Sequence, residues 1–500
     1  MRWLAFVLGA IAACGRIGFD PRSDTATTPD GDVPFTGLTH VVITDPTLEP
    51  SDELGFTVAI SGDGNTIAAS ALGESSAATG INGNAADNSA PNAGAVYVFV
   101  RSGSAWVRQA YIKASNTGAD DLFGQMLALS ADGNTLVVGA YQEDSAATGV
   151  NGNDADNTAT DAGAAYVYTR TGTTWSQQAY LKASNTDAGD NYGGKVAMSA
   201  DGNAVLVGAV YEASSATGVG GNQTDDSMMM AGAAYVYTRA GTTWSQQAYI
   251  KATNTGARDD YGDSMCISAD GATLAIASFA EDSAAMGVDG NQADNSAPDS
   301  GAVYVYTRSG TVWTPQAYLK ASNSSSGDLF GNRICALSSD GTTLSVGASQ
   351  ENSAATGIDG DQQNNSATGA GAVYMFTRAG TTWSQQAYIK APNTDVGDLF
   401  GFQSALSASG NTLFVGAPHE DSAAAGIDGD LTNNSLPDAG AAYLYTRSDG
   451  VWTYRAYLKA LAPSGPGEFA FSLATSASGR TLVVGHPDTT NLTGAIDVYE

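Results

Sequence analysis

The chain has 500 residues, 51 of them acidic and 21 basic, for a formal net charge of −30. That balance excludes nucleic acid as a partner, because phosphate binding needs the opposite sign. His40, His419 and His486 occupy unrelated places, and no His–Cys or His–His spacing points to zinc.

At the amino end, Met1-Arg2 is a minimal positive region and Trp3 to Gly9 an apolar core. Ile11-Ala12-Ala13-Cys14-Gly15 then fits the bacterial lipoprotein signal pattern, in which the cysteine becomes the lipid-bearing terminus. Such a segment is too short to span a bilayer. Residues 1–13 therefore read as a signal peptide, Cys14 as the lipidation site, and 14–36 as a flexible tether rich in Asp, Pro, Thr and Gly.

From residue 37 onward the chain repeats itself. Gly55, Gly124, Gly193, Gly262, Gly331, Gly401 and Ala470 mark steps of 69 residues, with one of 70. A long period holding several short strands is the signature of a repeat architecture. In the second unit, residues 124–130 form a short apolar run that ends at the turn signal Ala131-Asp132-Gly133-Asn134. Strands are expected at 135–140, at 162–170, where aromatic and aliphatic residues alternate, and at 175–182. Four strands per unit with no helical period give a small antiparallel sheet, and seven sheets arranged radially give an all-β, seven-bladed propeller. The seventh unit stops after its third strand, at residues 494–500, and the missing fourth appears at 40–44. The N-terminal strand is thus expected to complete the last blade and remove the exposed edges.

The landmarks Asp328-Leu329-Phe330-Gly331, Asp398-Leu399-Phe400-Gly401 and Val415-Gly416-Ala417-Pro418 resemble the FG-GAP repeat, best known from the seven-bladed propeller of integrin α subunits. The resemblance covers residues 37–500 and extends to bacterial, lipoprotein-type members through phrases such as 301–306 and 383–388. It implies a binding or adhesion role at the cell envelope. One departure matters. Integrin-type calcium loops lie between first and second strands, and here that connection is only Ala-Asp-Gly-Asn, so those sites do not transfer.

Trp106, Trp175, Trp244, Trp313, Trp383 and Trp452 recur in the fourth strands with a Tyr five residues later, and are expected to fill blade-to-blade contacts rather than to stack on carbohydrate. Cys266 and Cys335 fall at equivalent places in neighbouring units; buried thiols and a disulfide are both compatible with that placement.

Six units carry a long insertion between second and third strands, patterned Asx-Gly-Asx-x-x-Asx-Asx-Ser/Thr. Oxygen side chains around a tight turn suit a hard cation such as Ca²⁺. The candidate ligands are Asn82, Asn84 and Asp87; Asn151, Asn153 and Asp156; Asp289, Asn291 and Asp294; Asp359, Asp361 and Asn364; and Asp428, Asp430 and Asn433. A Glu opens each insertion, at 74, 143, 212, 281, 351 and 420. The competing reading is that these residues make self-capping Asx-turns. The third unit departs, with Gly220 at the leading position.

A second acidic series, Asp52, Asp121, Asp190, Asp259, Asp328 and Asp398, precedes the repeat Gly by three residues, in the blade-to-blade turns. These residues either cap the turns or, from Asp121 to Asp398, line a partner face shared with the insertions. The seventh unit has no long insertion, which leaves a notch in that face. No catalytic residue is assigned. The sequence therefore reads as an exported, outer-membrane or extracellular, monomeric propeller that binds a protein or glycan with calcium as cofactor. An extracytoplasmic hydrolase and a scaffold without a small-molecule site are the alternatives.

Overall fold

A computed structural model describes residues 38–333, 335–487 and 493–500. The signal segment, Cys14 and the tether lie outside them. Seven four-stranded antiparallel sheets make up the molecule, and no helix occurs among the described residues. In the second blade the strands are Leu127–Leu129, Thr135–Ala140, Ala164–Thr171 and Thr174–Leu181, paired in that order. The sequence-based bounds are close, except that the innermost strand is shorter because residues 124–126 belong to the preceding turn and bend.

The strands follow from their residues. The second strand and the start of the third are buried on both faces and are filled with Ala, Val, Leu and Tyr, whereas the fourth begins exposed. The hairpin between first and second strands is closed by its own side chains. Asp132 Oδ1 accepts from Ser130 Oγ at 2.5 Å and from the Asn134 amide at 3.0 Å, while Gly133 takes φ +67°. The Gly of the Gly-Ala landmark has a different cause. A Cβ on Gly139 would lie 1.8 Å from the carbonyl oxygen of Gly193 in the next blade, so only glycine lets the two sheets approach.

Closure occurs twice. His40–Ile43 pairs with Ala495–Tyr499, joining both chain ends in the seventh sheet. At the opposite end of the inner strands, the seven first-to-second-strand turns bond head to tail. The Gly62 amide donates to the Ala131 carbonyl, Ala131 to Ala200, Ala200 to Ala269, Ala269 to Ser339, Ser339 to Ala408, Ala408 to Ala477, and Ala477 back to Gly62, at 2.8–3.2 Å. This backbone belt requires a complete ring of seven.

Between blades lie separate small cores instead of one large one. Trp175 is 4% exposed; its indole N–H donates to Gln109 of the preceding blade at 3.0 Å, and Arg170 lies over the ring at 5.3 Å. The same arrangement recurs at Trp244, Trp313, Trp383 and Trp452, so the tryptophans are blade-to-blade packing. Cys266 and Cys335 form a disulfide between the inner strands of blades four and five, with Cα atoms 5.5 Å apart.

Two outcomes are expected. Deletion of residues 1–45 removes the closing strand and should lower the melting temperature by more than ten degrees or abolish a cooperative melt; an unchanged melt would show that the belt alone holds the ring. Reduction of the disulfide, which closes a 69-residue loop, should lower stability by about 2–4 kcal/mol in denaturant titrations with and without reductant.

Candidate functional site

In each antiparallel blade the second strand ends, and the third begins, at the end where the innermost strand starts. The long insertions and the blade-to-blade turns therefore share one face. They are bonded to each other: the amides of Leu122 and Phe123 donate to the carbonyls of Asn92 and Ala93 at the end of the previous insertion.

Beneath this face each of the six insertion-bearing blades buries a charged pair. Lys113, Lys182, Lys251, Lys320, Lys390 and Lys459 close the fourth strands and donate to Glu74, Glu143, Glu212, Glu281, Glu351 and Glu420 at 2.6–2.9 Å. All twelve side chains are 3% exposed or less. Burial pushes the lysine pKa values down, and the adjacent glutamate opposes that shift. In blade two, Glu143 also accepts from Tyr180 Oη at 2.8 Å, from Asn116 Nδ2 of the preceding blade-to-blade turn at 2.7 Å, and from the Ser145 amide at 3.1 Å. Asn116 in turn accepts from Tyr166 Oη at 2.6 Å. All six glutamates are thereby committed to a lysine, and Glu74, Glu143, Glu212 and Glu281 to a tyrosine hydroxyl as well.

The Asp series lies in the same layer. Asp121, Asp190, Asp259, Asp328 and Asp398 are buried, and each accepts from the backbone amide three residues earlier, as Asp121 does from Gly118 at 2.7 Å. They cap turns, and the surface a partner would meet is formed by other side chains. Burial pushes the pKa of these five up to about 7 and that of Asp52 up to about 6, opposed by the capping bond.

Above this layer, the insertions carry their Asx residues in a regular pattern. The leading residue sits at left-handed φ: Asn82 at 56°, Asn151 at 55°, Asp289 at 54°, Asp359 at 54° and Asp428 at 53°. Each accepts from the amide of the fourth-strand tyrosine at 2.9–3.0 Å: Tyr111, Tyr180, Tyr318, Tyr388 and Tyr457. The next residue, Asn84, Asn153, Asn291, Asp361 or Asp430, accepts from the amide two positions on. Asp87, Asp156, Asp294 and Asn433 repeat that turn, and Asn364 accepts from the Ser366 hydroxyl. Gly220, at φ +74°, takes the left-handed position without a side-chain cap. The oxygen chemistry suits a hard cation, but the three oxygens of a loop serve different partners. Among the described residues no group of three or more His, Cys, Asp or Glu is arranged around a common metal position.

Compared with known families, residues 106–168, 175–237 and 383–445 match the FG-GAP repeat. Those segments run from the outer strand of one blade to the third strand of the next, in register with the 69-residue period. Three segments of this seven-bladed propeller thus carry the FG-GAP repeat, and the fold is consistent with that family. No curated protein matches it significantly. Among solved structures, a Bacteroides uniformis protein provisionally named a 6-phosphogluconolactonase is 9% identical, with a TM-score of 0.45 over 82% of this chain and 86% of that one. Nothing about activity follows from that likeness.

The seventh blade of the propeller breaks the pattern. Its second, third and fourth strands bring together His486, Asp497 and His40. Asp497 Oδ1 lies 2.5 Å from His40 Nε2, and its Oδ2 lies 3.9 Å from His486 Nδ1. His40 stacks on Tyr499 with ring centres 4.2 Å apart, and His486 packs edge-on to Phe469. No linear spacing links positions 40, 486 and 497, so the sequence alone does not reveal this trio.

Removing the charge of one buried partner while leaving the other, as in Lys251→Met, should cost about 3–5 kcal/mol; a loss below 1 kcal/mol in chemical denaturation would show that water reaches the pair. The elevated aspartates impose a pH slope. A carboxyl whose pKa rises on folding retains its proton at pH values where the unfolded chain has lost it. Its stabilising contribution is complete below pH ~3.9 and is lost as pH rises through about 7. Melting temperature should therefore fall between pH 5 and pH 8, less steeply in Asp259→Asn; a flat profile would contradict burial of the series.

Proposed function

We propose that this propeller is a binding module of the cell envelope, tethered through Cys14, that engages a protein or glycan partner with its insertion-bearing face. One observation carries the reading: six blades present near-identical, exposed Asx loops on one face, each fixed to the blade by a buried Glu–Lys pair. Repetition of one polar surface suits recognition by many equivalent contacts. A catalytic centre requires one unequal place. The loops are closed by their own backbone, so the rim is rigid before anything binds and little ordering entropy opposes association. Calcium belongs to this reading as a cation drawn to the oxygen-rich loops of the acidic rim.

A second reading, an extracytoplasmic hydrolase, draws on the His40–Asp497–His486 trio, the one unrepeated carboxylate–histidine cluster described above. Its burial weighs against direct contact with substrate.

The deciding experiment measures binding of the full chain to intact cell envelopes and to a glycan array, before and after chelation. The expected result is saturable binding that falls when a long insertion is grafted into the seventh unit and fills the notch. Binding indifferent to that graft would move the partner away from this face. Turnover of an ester or glycoside substrate, lost in Asp497→Asn with the fold intact, would favour the hydrolase. Tethering is tested separately. Mass spectrometry should find an acylated Cys14, and Cys14→Ser should release the protein from the membrane fraction.

A further inference from the structure

The inner strands of the seven blades surround a central channel. The two residues after each repeat Gly (after Ala470 in the last unit) lie at or just before the start of those strands, at the insertion face: Phe-Thr, Gln-Met, Gly-Lys, Asp-Ser, Asn-Arg, Phe-Gln and Phe-Ser from unit one to seven. No two pairs are alike. The buried layers of the same blades are nearly invariant, so the repeat has diverged where it lines the channel.

Most of those positions, Lys195, Arg333, Phe56 and Phe471 among them, line a cavity of about 180 Å³. Lys195, 12% exposed, lies 3.7 Å from Asp263. The Arg333 guanidinium is held between phenyl faces, 4.6 Å from the ring centre of Phe402 and 5.2 Å from that of Phe471, and Phe56 packs on Phe471 at 5.1 Å. Among the described residues no side-chain N–H of Arg333 reaches a protein acceptor; only its backbone amide approaches Asp263, at 3.5 Å. Among the seven residues at its place in the repeat, Arg333 alone has positive φ, 60°. Burial pushes the pKa of both cations down, and the carboxylates acting on Arg333 are Asp263 and Glu468. A guanidinium fixed by aromatic rings with its five donors unused is poised for an oxyanion, which it can grip in bidentate fashion.

We propose that Lys195 and Arg333 form an anion site in the central channel, taking a small carboxylate or phosphate whose apolar part rests against Phe56, Phe402 and Phe471. The cavity is smaller than the ~300–1,000 Å³ typical of drug-sized ligands, which limits the occupant to a few heavy atoms beyond its anionic group. Asp263 opposes the anion and holds Lys195 in its absence. The site is independent of the rim reading, since a small anion can occupy the channel whatever docks on the loops.

The test is calorimetric titration of the full chain at low ionic strength with two probes, benzoate and inorganic phosphate. Benzoate binding at one site per chain, with phosphate weaker, is expected if the rings contribute; the reverse order would assign the site to phosphate. Arg333→Gln and Lys195→Gln should each weaken the preferred probe at least tenfold, and Asp263→Asn should tighten it severalfold. These opposite signs separate ligand contact from a purely structural role, which would make all three substitutions destabilising and leave affinity unordered. Absence of saturable heat with either probe at 10 mM, or equal affinity in the wild type and both Gln variants, would overturn the proposal.

Discussion

The contact on which the rest of the molecule depends is the buried Glu–Lys pair. It joins three stretches of chain: the start of the insertion, the end of the fourth strand and, through an Asn such as Asn116, the turn leading in from the preceding blade. Two opposite charges placed out of water cost several kcal/mol each in desolvation, which their attraction repays only if the geometry is right and the remaining lone pairs are filled. Glu143 meets that condition with a lysine, a tyrosine, an asparagine and a backbone amide. An apolar pair of equal volume could match the stability. It could not select this arrangement over a slipped one, because apolar contacts have no direction. The exposed loops keep one conformation because the layer beneath them admits one.

The same logic explains the junction between the last and first blades. The seventh unit has no long insertion and so no Glu to receive a Lys, and the first blade has no preceding repeat to supply the Asn. Other polar contacts replace them. Asp45 accepts from Arg108 at 2.7 Å, Thr47 lies within 3.4 Å of the Tyr97 hydroxyl, and His40 faces Asp497. Arg101 adds an ion pair to Glu500, the last residue of the sequence. Where the repeat cannot complete itself, the two ends of the chain provide a different set of partners, and every one of these contacts spans the closure or flanks it.

The architecture was legible because it is periodic: the 69-residue step, the turn signals and the missing outer strand of the last unit all survive in linear order. The tryptophans and the Asp caps were readable for the same reason. The Glu–Lys pairs were equally open to view, since each lysine follows its glutamate by 39 residues. From the sequence, each Glu was read as the opening of an insertion but was not connected with its constant lysine. The Asx pattern was ambiguous in principle, because the residues that cap a left-handed turn are the same oxygen donors that bind calcium. The channel cluster and the His40–Asp497–His486 trio could not be found by period, for they consist of positions where the period fails.

That contrast divides the molecule by function. Identical blades are what a self-closing ring needs, since every interface must accept the next copy, and the invariant layers satisfy that need. A site for one small ligand needs the opposite, a place where seven copies contribute unequal side chains. The channel wall is suited to this because each blade donates its first residues to a common space, so substitutions there alter the shared cavity without disturbing any blade-to-blade core. Lys195, Asp263 and Arg333 come from three successive blades and would be surplus to a purely structural propeller. A ring that needed only to close would have no use for two cations gathered in its channel beside Asp263 and Glu468.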